Sequence, residues 1–201
     1  LCNAAFEFRQ DFDGRFLSWQ STTHGYLPED TLAFALALFL RTHAIDPEKA
    51  LRHLEDEIET LEAAFGERLG RDARVFATVS HQHIYGLLFR ALWPFCSGRP
   101  FHASLLLLPQ ELFPRMLECR NAVLVTTPVH LRRMTEAQDL ARVTGVCRTL
   151  FSSGGPLEAE TALGVAQQLG QGPIAIFGST ETGGVALRER SRSGERFTPL
   201  P

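Results

Sequence analysis

Five short apolar runs, Val75 to Val79, Phe101 to Leu107, Ala122 to Thr126, Cys147 to Phe151 and Ile174 to Phe177, alternate with stretches of helical periodicity. Each run has strand length and each intervening stretch is long enough for a crossover helix. From Glu48 to Leu69 the apolar residues Leu51, Leu54, Ile58, Leu61 and Phe65 recur every three to four positions, which predicts one amphipathic helix. Its acidic cluster Glu55, Asp56, Glu57 and Glu59 reads as the solvated face. Further helices are predicted over Gly86 to Cys96, with Leu87, Leu88, Leu92 and Trp93 inward, over Pro109 to Cys119, from Pro128 to Met134, and from Glu158 to Leu169. The expected fold class is α/β, a mostly parallel sheet flanked by helices and joined by right-handed crossovers. At 201 residues the chain can bury a core of its own.

Three of the strand-like runs end in segments of unusual composition. Ile174 to Phe177 leads into Phe177-Gly178-Ser179-Thr180-Glu181-Thr182-Gly183-Gly184, a glycine- and hydroxyl-rich turn with one carboxylate. In it Phe177 offers a flat face for a base, Thr180 a hydroxyl for a phosphate oxygen, and Glu181 a hard oxygen ligand for magnesium. It is not a Walker loop, because Gly184 stands where that pattern needs lysine. A plain glycine-rich turn after a buried strand is the competing reading. The run 147–151 feeds Ser152-Ser153-Gly154-Gly155-Pro156-Leu157, and the run 75–79 feeds Ser80-His81-Gln82-His83-Ile84-Tyr85-Gly86-Leu87. Turns of this kind at the carboxyl ends of neighbouring parallel strands can line one nucleotide cleft.

Taken in order, His83-Ile84-Tyr85-Gly86-Leu87, Ser152 to Leu157 and Phe177 to Gly184 resemble the motifs of the AMP-forming adenylate enzymes, the acyl-CoA and aryl-CoA synthetases and their relatives. The resemblance covers roughly His53 to Pro201. It implies that residues 48–201 are an adenylation core, part of the large N-terminal domain of such an enzyme, and that 1–47 are a divergent segment. The implied reaction is ATP-dependent activation of a small carboxylic acid as an acyl-adenylate, aryl or alkyl, followed by transfer to the thiol of coenzyme A or of a carrier-protein phosphopantetheine. By the same resemblance Phe177 would stack on adenine, and Ser153, Gly154, Gly155, Gly178 and Ser179 would line the nucleotide site. Thr180 would meet the phosphate and Glu181 would hold magnesium. His83 would stand where the carboxylate and thiol meet, with Tyr85, Thr127 and Gly178 shaping the acyl pocket.

Departures from the family pattern bear on activity. Where its members carry a Ser/Thr/Gly-rich loop ending in Pro-Lys, this chain reads Arg41-Thr42-His43-Ala44-Ile45-Asp46-Pro47-Glu48-Lys49. Without glycine, backbone amides cannot wrap phosphate as closely. The chain also ends at Pro201, before the ribose-binding aspartate and the lysine-bearing domain of the family. A truncated or frame-disrupted remnant, inactive in catalysis and retaining at most a binding or interaction role, is therefore the alternative expectation.

Composition narrows the remaining classes. A net charge of −3 and a pI near 6.2, with no basic stripe, give no reason to expect nucleic acid as a partner. Cys2, Cys96, Cys119 and Cys147 are scattered without a CxxC pair, as in a reducing cytoplasm. The longest apolar run, Leu32 to Leu40, follows the helix-start signal Pro28-Glu29-Asp30-Thr31 and is too short to span a bilayer. His81, His83 and His102 lack a cysteine or carboxylate at ligand spacing, and no GxSxG elbow is present. His130, just after Thr126-Thr127-Pro128, sits at a strand end that borders the acyl pocket in the family, where Thr127 and Pro128 equally suit a helix start.

Overall fold

A computed structural model describes residues 8–10, 16–19, 47–179, 182–190 and 194–200. The run Leu32 to Leu40 and the residues Thr180 and Glu181 lie outside them. The strands are β1 (Phe8–Gln10), β2 (Phe16–Trp19), β3 (Arg74–Ala77), β4 (Phe101–His102), β5 (Ala122–Thr126), β6 (Cys147–Ser152), β7 (Ile174–Ser179), β8 (Gly183–Glu189) and β9 (Thr198–Pro199). They form one sheet in the order β1-β2-β4-β3-β5-β6-β7-β8-β9. The pairs β4/β3, β3/β5, β5/β6 and β6/β7 are parallel, and the outer pairs are antiparallel. The expected α/β architecture with a mostly parallel centre is present, with antiparallel strands added at both edges.

The helices are α1 (Pro47–Leu69), α2 (residues 84–96), α3 (Pro109–Leu117), α4 (Pro128–Glu136) and α5 (Ala159–Leu169), with a 3-10 turn at Asp139–Val143. Proline opens α3 and α4 at the first helical turn, where its missing N–H costs no hydrogen bond. Because side chains alternate along a strand, each central strand feeds two cores. Val75, Ala77, Val123 and Val125 pack with Leu54, Ile58, Leu61 and Phe65 of α1 and Leu87, Leu88, Leu92 and Trp93 of α2. Phe76, Leu124 and Leu150 pack on the other side with Leu112, Phe113 and Met116 of α3, Leu131 of α4 and Val165 of α5.

Strand order fixes where the site lies. From β3 the chain crosses through α2 to β4, its neighbour on one side. From β4 it crosses back through α3 to β5, on the other side of β3, and then runs outward through α4 and α5. The change of direction coincides with the change of covered face, the combination that right-handed crossovers produce. A crevice therefore opens at the carboxyl ends of β3 and β5.

Two sequence expectations need correction. The run Phe101 to Leu107 is a strand only at Phe101–His102. Beyond His102 the Ala103 carbonyl accepts a hydrogen bond from the Arg90 guanidinium (2.8 Å) rather than from a neighbouring strand. Leu107 and Leu108 turn to the surface before Pro109 opens α3. Expected as a continuation of the turn, Gly183-Gly184 instead begins β8, which pairs along the length of β7.

Candidate functional site

A cavity of about 410 Å³ fills the crevice. The segment after β3 supplies Val79, His83 and Tyr85; the end of β5 supplies Thr127; Ser153 and Gly154 follow β6; and Gly178 and Ser179 end β7. The three segments singled out in the sequence thus line one cavity. Gly155, exposed, is outside its lining, and so is Phe177.

The turn before α2 is held by the Gln82 N–H donating to the Ser80 hydroxyl (3.2 Å) and the His83 N–H donating to the Ser80 carbonyl (3.3 Å). His83 has extended backbone angles and caps α2, so its exposed imidazole stands at the cavity rim. A Cβ on Gly86 would lie 2.0 Å from the Ser80 carbonyl oxygen, so only glycine lets the first turn of α2 pack this closely on residues 80–83. α2 continues through Leu87–Leu92 as a π-helix, a form found mostly as single-turn bulges inside α-helices and frequently at functional sites. Arg90, on that turn, bonds His81 Nδ1 (3.2 Å). Burial, then the Arg90 charge, holds His81 below its ordinary value. The Tyr85 ring packs on Phe89, with ring centres 5.0 Å apart, and its enclosed hydroxyl is pushed well above the ordinary phenol range by burial.

Ser153 donates to the Ile176 carbonyl (2.9 Å) and ties the β6 turn to β7. At Gly178 a Cβ would fall 2.0 Å from the Gly183 carbonyl oxygen, so β8 lies too close there for any side chain. Ser179 and Thr182 bond each other: the Ser179 N–H donates to the Thr182 hydroxyl (3.1 Å), and the Thr182 N–H to the Ser179 hydroxyl (3.3 Å). The Phe177 ring is 59% exposed and packs on Phe197, with ring centres 5.7 Å apart. Strand alternation explains the split, with Ile176 entering the cavity wall and Phe177 facing away.

Thr127 both lines the cavity and caps α4, its hydroxyl accepting from the His130 N–H at 3.5 Å. His130 itself is not in the lining. Its Nδ1 bonds the Thr78 hydroxyl (2.8 Å), which bonds the Thr126 hydroxyl (2.7 Å), linking α4 to the ends of β3 and β5. Among the described residues no three His, Cys, Asp or Glu side chains gather as a metal-binding group.

Glu57 corrects the reading of the acidic cluster as a solvated face. Asp56 and Glu59 are exposed, whereas Glu57 turns into the cavity wall and accepts a hydrogen bond from the Gly184 N–H. A Cβ on Gly183 would lie 2.3 Å from Glu57 Oε1, so the carboxylate rests directly on the start of β8. Burial raises its pKa above the ordinary value, against the pull of the Gly184 N–H and of His53. A signal was present in the sequence: at 100° per residue, position 57 lies beside Leu54 and Leu61 on the buried stripe.

A family model for AMP-binding enzymes matches residues 51–199. The chain belongs to the AMP-binding enzyme family. The match spans all three motifs and most of α1. No match is found among curated proteins. Among solved structures, ATP-bound MatB from Rhodopseudomonas palustris superposes with a TM-score of 0.62 at 22% identity, covering 74% of this chain and 29% of that one. A malonyl-CoA ligase in a ternary product complex with methylmalonyl-CoA and AMP gives 0.64 at 21%, covering 75% and 34%. VinN in complex with L-aspartate gives 0.59 at 18%, covering 72% and 37%. At these identities the likeness is one of fold, and this AMP-binding chain spans about a third of the length of those proteins. No described helix is long and apolar enough to cross a membrane.

Proposed function

We propose that the cavity holds an acyl-adenylate, formed from ATP and a small carboxylic acid and passed on to the thiol of coenzyme A or of a carrier-protein phosphopantetheine. The observation that carries this reading is the meeting of three separate motifs in one cavity at the strand-order reversal. The acyl part would lie against Val79, Leu88, Phe89 and Ile176, with Tyr85 and Thr127 beside it. The nucleotide would lie along Ser153, Gly154, Gly178 and Ser179, and adenine would reach the exposed ring of Phe177 past Gly155. His83 at the rim is placed to meet the reacting carboxyl and the incoming thiol. Solved neighbours with ATP, or with AMP and a CoA product, bound on the same fold support this reading.

Magnesium, when bound, supplies charge stabilisation for the phosphates. By resemblance Glu181 would be its ligand and Thr180 would meet the phosphate; both lie outside the described residues. Among the described residues of this segment, Ser179 is the hydroxyl-bearing one that lines the cavity at the proposed phosphate side. Residues 41–49 lack the glycine and hydroxyl run that wraps ATP phosphates, which favours a second reading in which the chain binds the adenylate without forming it.

Calorimetry with hexanoyl-sulfamoyl-adenosine, a stable acyl-adenylate mimic, tests the site. Saturable binding, competed by AMP and weakened by Ser153→Trp, is expected. A chain that takes up no mimic refutes the proposed site. ATP–pyrophosphate exchange by the same chain is expected at background, and acid-dependent exchange would overturn the non-catalytic reading.

A further inference from the structure

The cavity carries one carboxylate that none of the three motifs contains. Glu57 comes from α1, 127 residues away in sequence from Gly184, whose N–H it accepts. It shares the lining with Val79, Ile84, Leu88, Phe89 and Ile176, and no lysine or arginine is among the described lining residues. The polar groups there are His83, Tyr85 and the hydroxyls of Thr127, Ser153 and Ser179. Among the described lining residues, the wall that faces a bound acyl tail is therefore largely apolar, with Glu57 at the α1 side as its one carboxylate. Two like charges brought together where water is thinned repel more than in bulk, and no lysine or arginine among the described lining residues would offset a second carboxylate.

We propose that Glu57 sets the charge this pocket accepts: monocarboxylic acids with uncharged or amino-bearing tails enter, and dicarboxylic acids are rejected. This rests on the adenylate reading above and adds to it the class of acid. The glycines at 183 and 184 fit the role. Any side chain at 183 would collide with the carboxylate, so the backbone there both orients Glu57 through the Gly184 N–H and leaves it room. The contact with β8 also keeps the long side chain from swinging away from an anionic ligand.

The test uses three acyl-sulfamoyl-adenosines that differ only in the tail: hexanoyl, 6-aminohexanoyl and 5-carboxypentanoyl. Affinities are measured by calorimetry on the chain and on Glu57→Gln, whose amide oxygen can still accept from Gly184 and whose fold is checked by melting. The wild-type chain is expected to bind the carboxylate tail at least about tenfold more weakly than the hexanoyl tail, close to 1.4 kcal/mol. In Glu57→Gln the ratio should fall to about twofold or less. In the wild type it should shrink with added salt. Equal affinity of the wild type for hexanoyl and carboxypentanoyl tails overturns the proposal and leaves the adenylate site standing. A ratio unchanged in Glu57→Gln does the same. Failure of all three analogues to bind overturns both. Should Glu57→Gln not fold, Glu57→Asp, which keeps the charge but draws it back, should lower the ratio without abolishing it; an undiminished ratio overturns the proposal.

Discussion

Removing the Glu62 carboxylate should cost far more than its half-exposed position suggests. Arg99, only 2% exposed, donates to Glu62 at 2.5 and 2.9 Å, to the Gly70 carbonyl at 2.8 Å and to the Gly66 carbonyl at 3.0 Å. Trp93 Nε1 donates to the same carboxylate at 2.8 Å. Glu62→Ala leaves a buried guanidinium without a counter-charge and an indole N–H without its acceptor. Breaking a buried pair from one side costs about 3–5 kcal/mol. Arg99 keeps its two backbone acceptors, and water reaches a carboxylate whose side chain is 42% exposed, so about 2–3 kcal/mol is expected here. For a chain of this size that lowers the melting temperature by roughly 5–10 °C. The exposed pair Arg132–Glu136, at 3.8 Å, is the control, with Glu136→Ala costing less than about 0.5 kcal/mol. Burial pushes the Glu62 pKa up, but hydrogen bonds from Arg99 and Trp93 outweigh it and leave it below 4.5. A depressed folded pKa contributes stability that is present above the unfolded value and lost as pH falls through the folded one. The gap between wild type and Glu62→Ala should therefore be full above about pH 4.5 and narrow below it. Urea unfolding across pH 3–7 measures it. A Glu62→Ala chain within about 0.5 kcal/mol of wild type at pH 7 would refute the reasoning.

Gly178→Ala should force β7 and β8 apart, since the new methyl meets the Gly183 carbonyl. A loss of roughly 1–3 kcal/mol is expected, with at least tenfold weaker binding of the hexanoyl mimic, and unchanged affinity would count against that contact. Gly154→Ala would meet only Thr127 Cγ2, at an ordinary 3.9 Å, but has a φ of +84°, so melting should show a smaller penalty of about 1–2 kcal/mol. Burial pushes the Cys147 thiol up to about 12, so iodoacetamide at pH 8 should leave it unmodified by mass spectrometry until the chain is unfolded. Rapid native labelling at Cys147 would contradict its burial.

The parallel centre of the sheet was legible because its strands are covered on both faces and so read as unbroken apolar runs between amphipathic helices. Ala122 to Thr126 coincides with its strand, and the buried positions Leu87, Leu88, Leu92 and Trp93 lie inward as periodicity predicts. The edges were not legible. β8 begins with two glycines and is made a strand by its long-range pairing with β7, which no local propensity encodes. Beyond His102, regular pairing of the β4 run stops where the Arg90 guanidinium takes the Ala103 carbonyl, although the Leu106 N–H still donates to the Ala77 carbonyl of β3 (3.1 Å). Of the site, the residues that touch the cavity through turns at strand ends were readable from composition. Glu57 was readable only from its place beside Leu54 and Leu61 on the buried stripe of α1; composition alone does not separate it from Glu55, Asp56 and Glu59, and its partner Gly184 is 127 residues away.

The most direct measurement is a crystal structure of the chain with hexanoyl-sulfamoyl-adenosine. The adenosine is predicted along Ser153 to Gly155 with its base at Phe177, and the hexanoyl tail between Tyr85 and Ile176, with its carbonyl facing His83. An analogue bound outside the cavity at the ends of β3, β5, β6 and β7, or spanning fewer than all three motifs, would contradict the shared acyl-adenylate site.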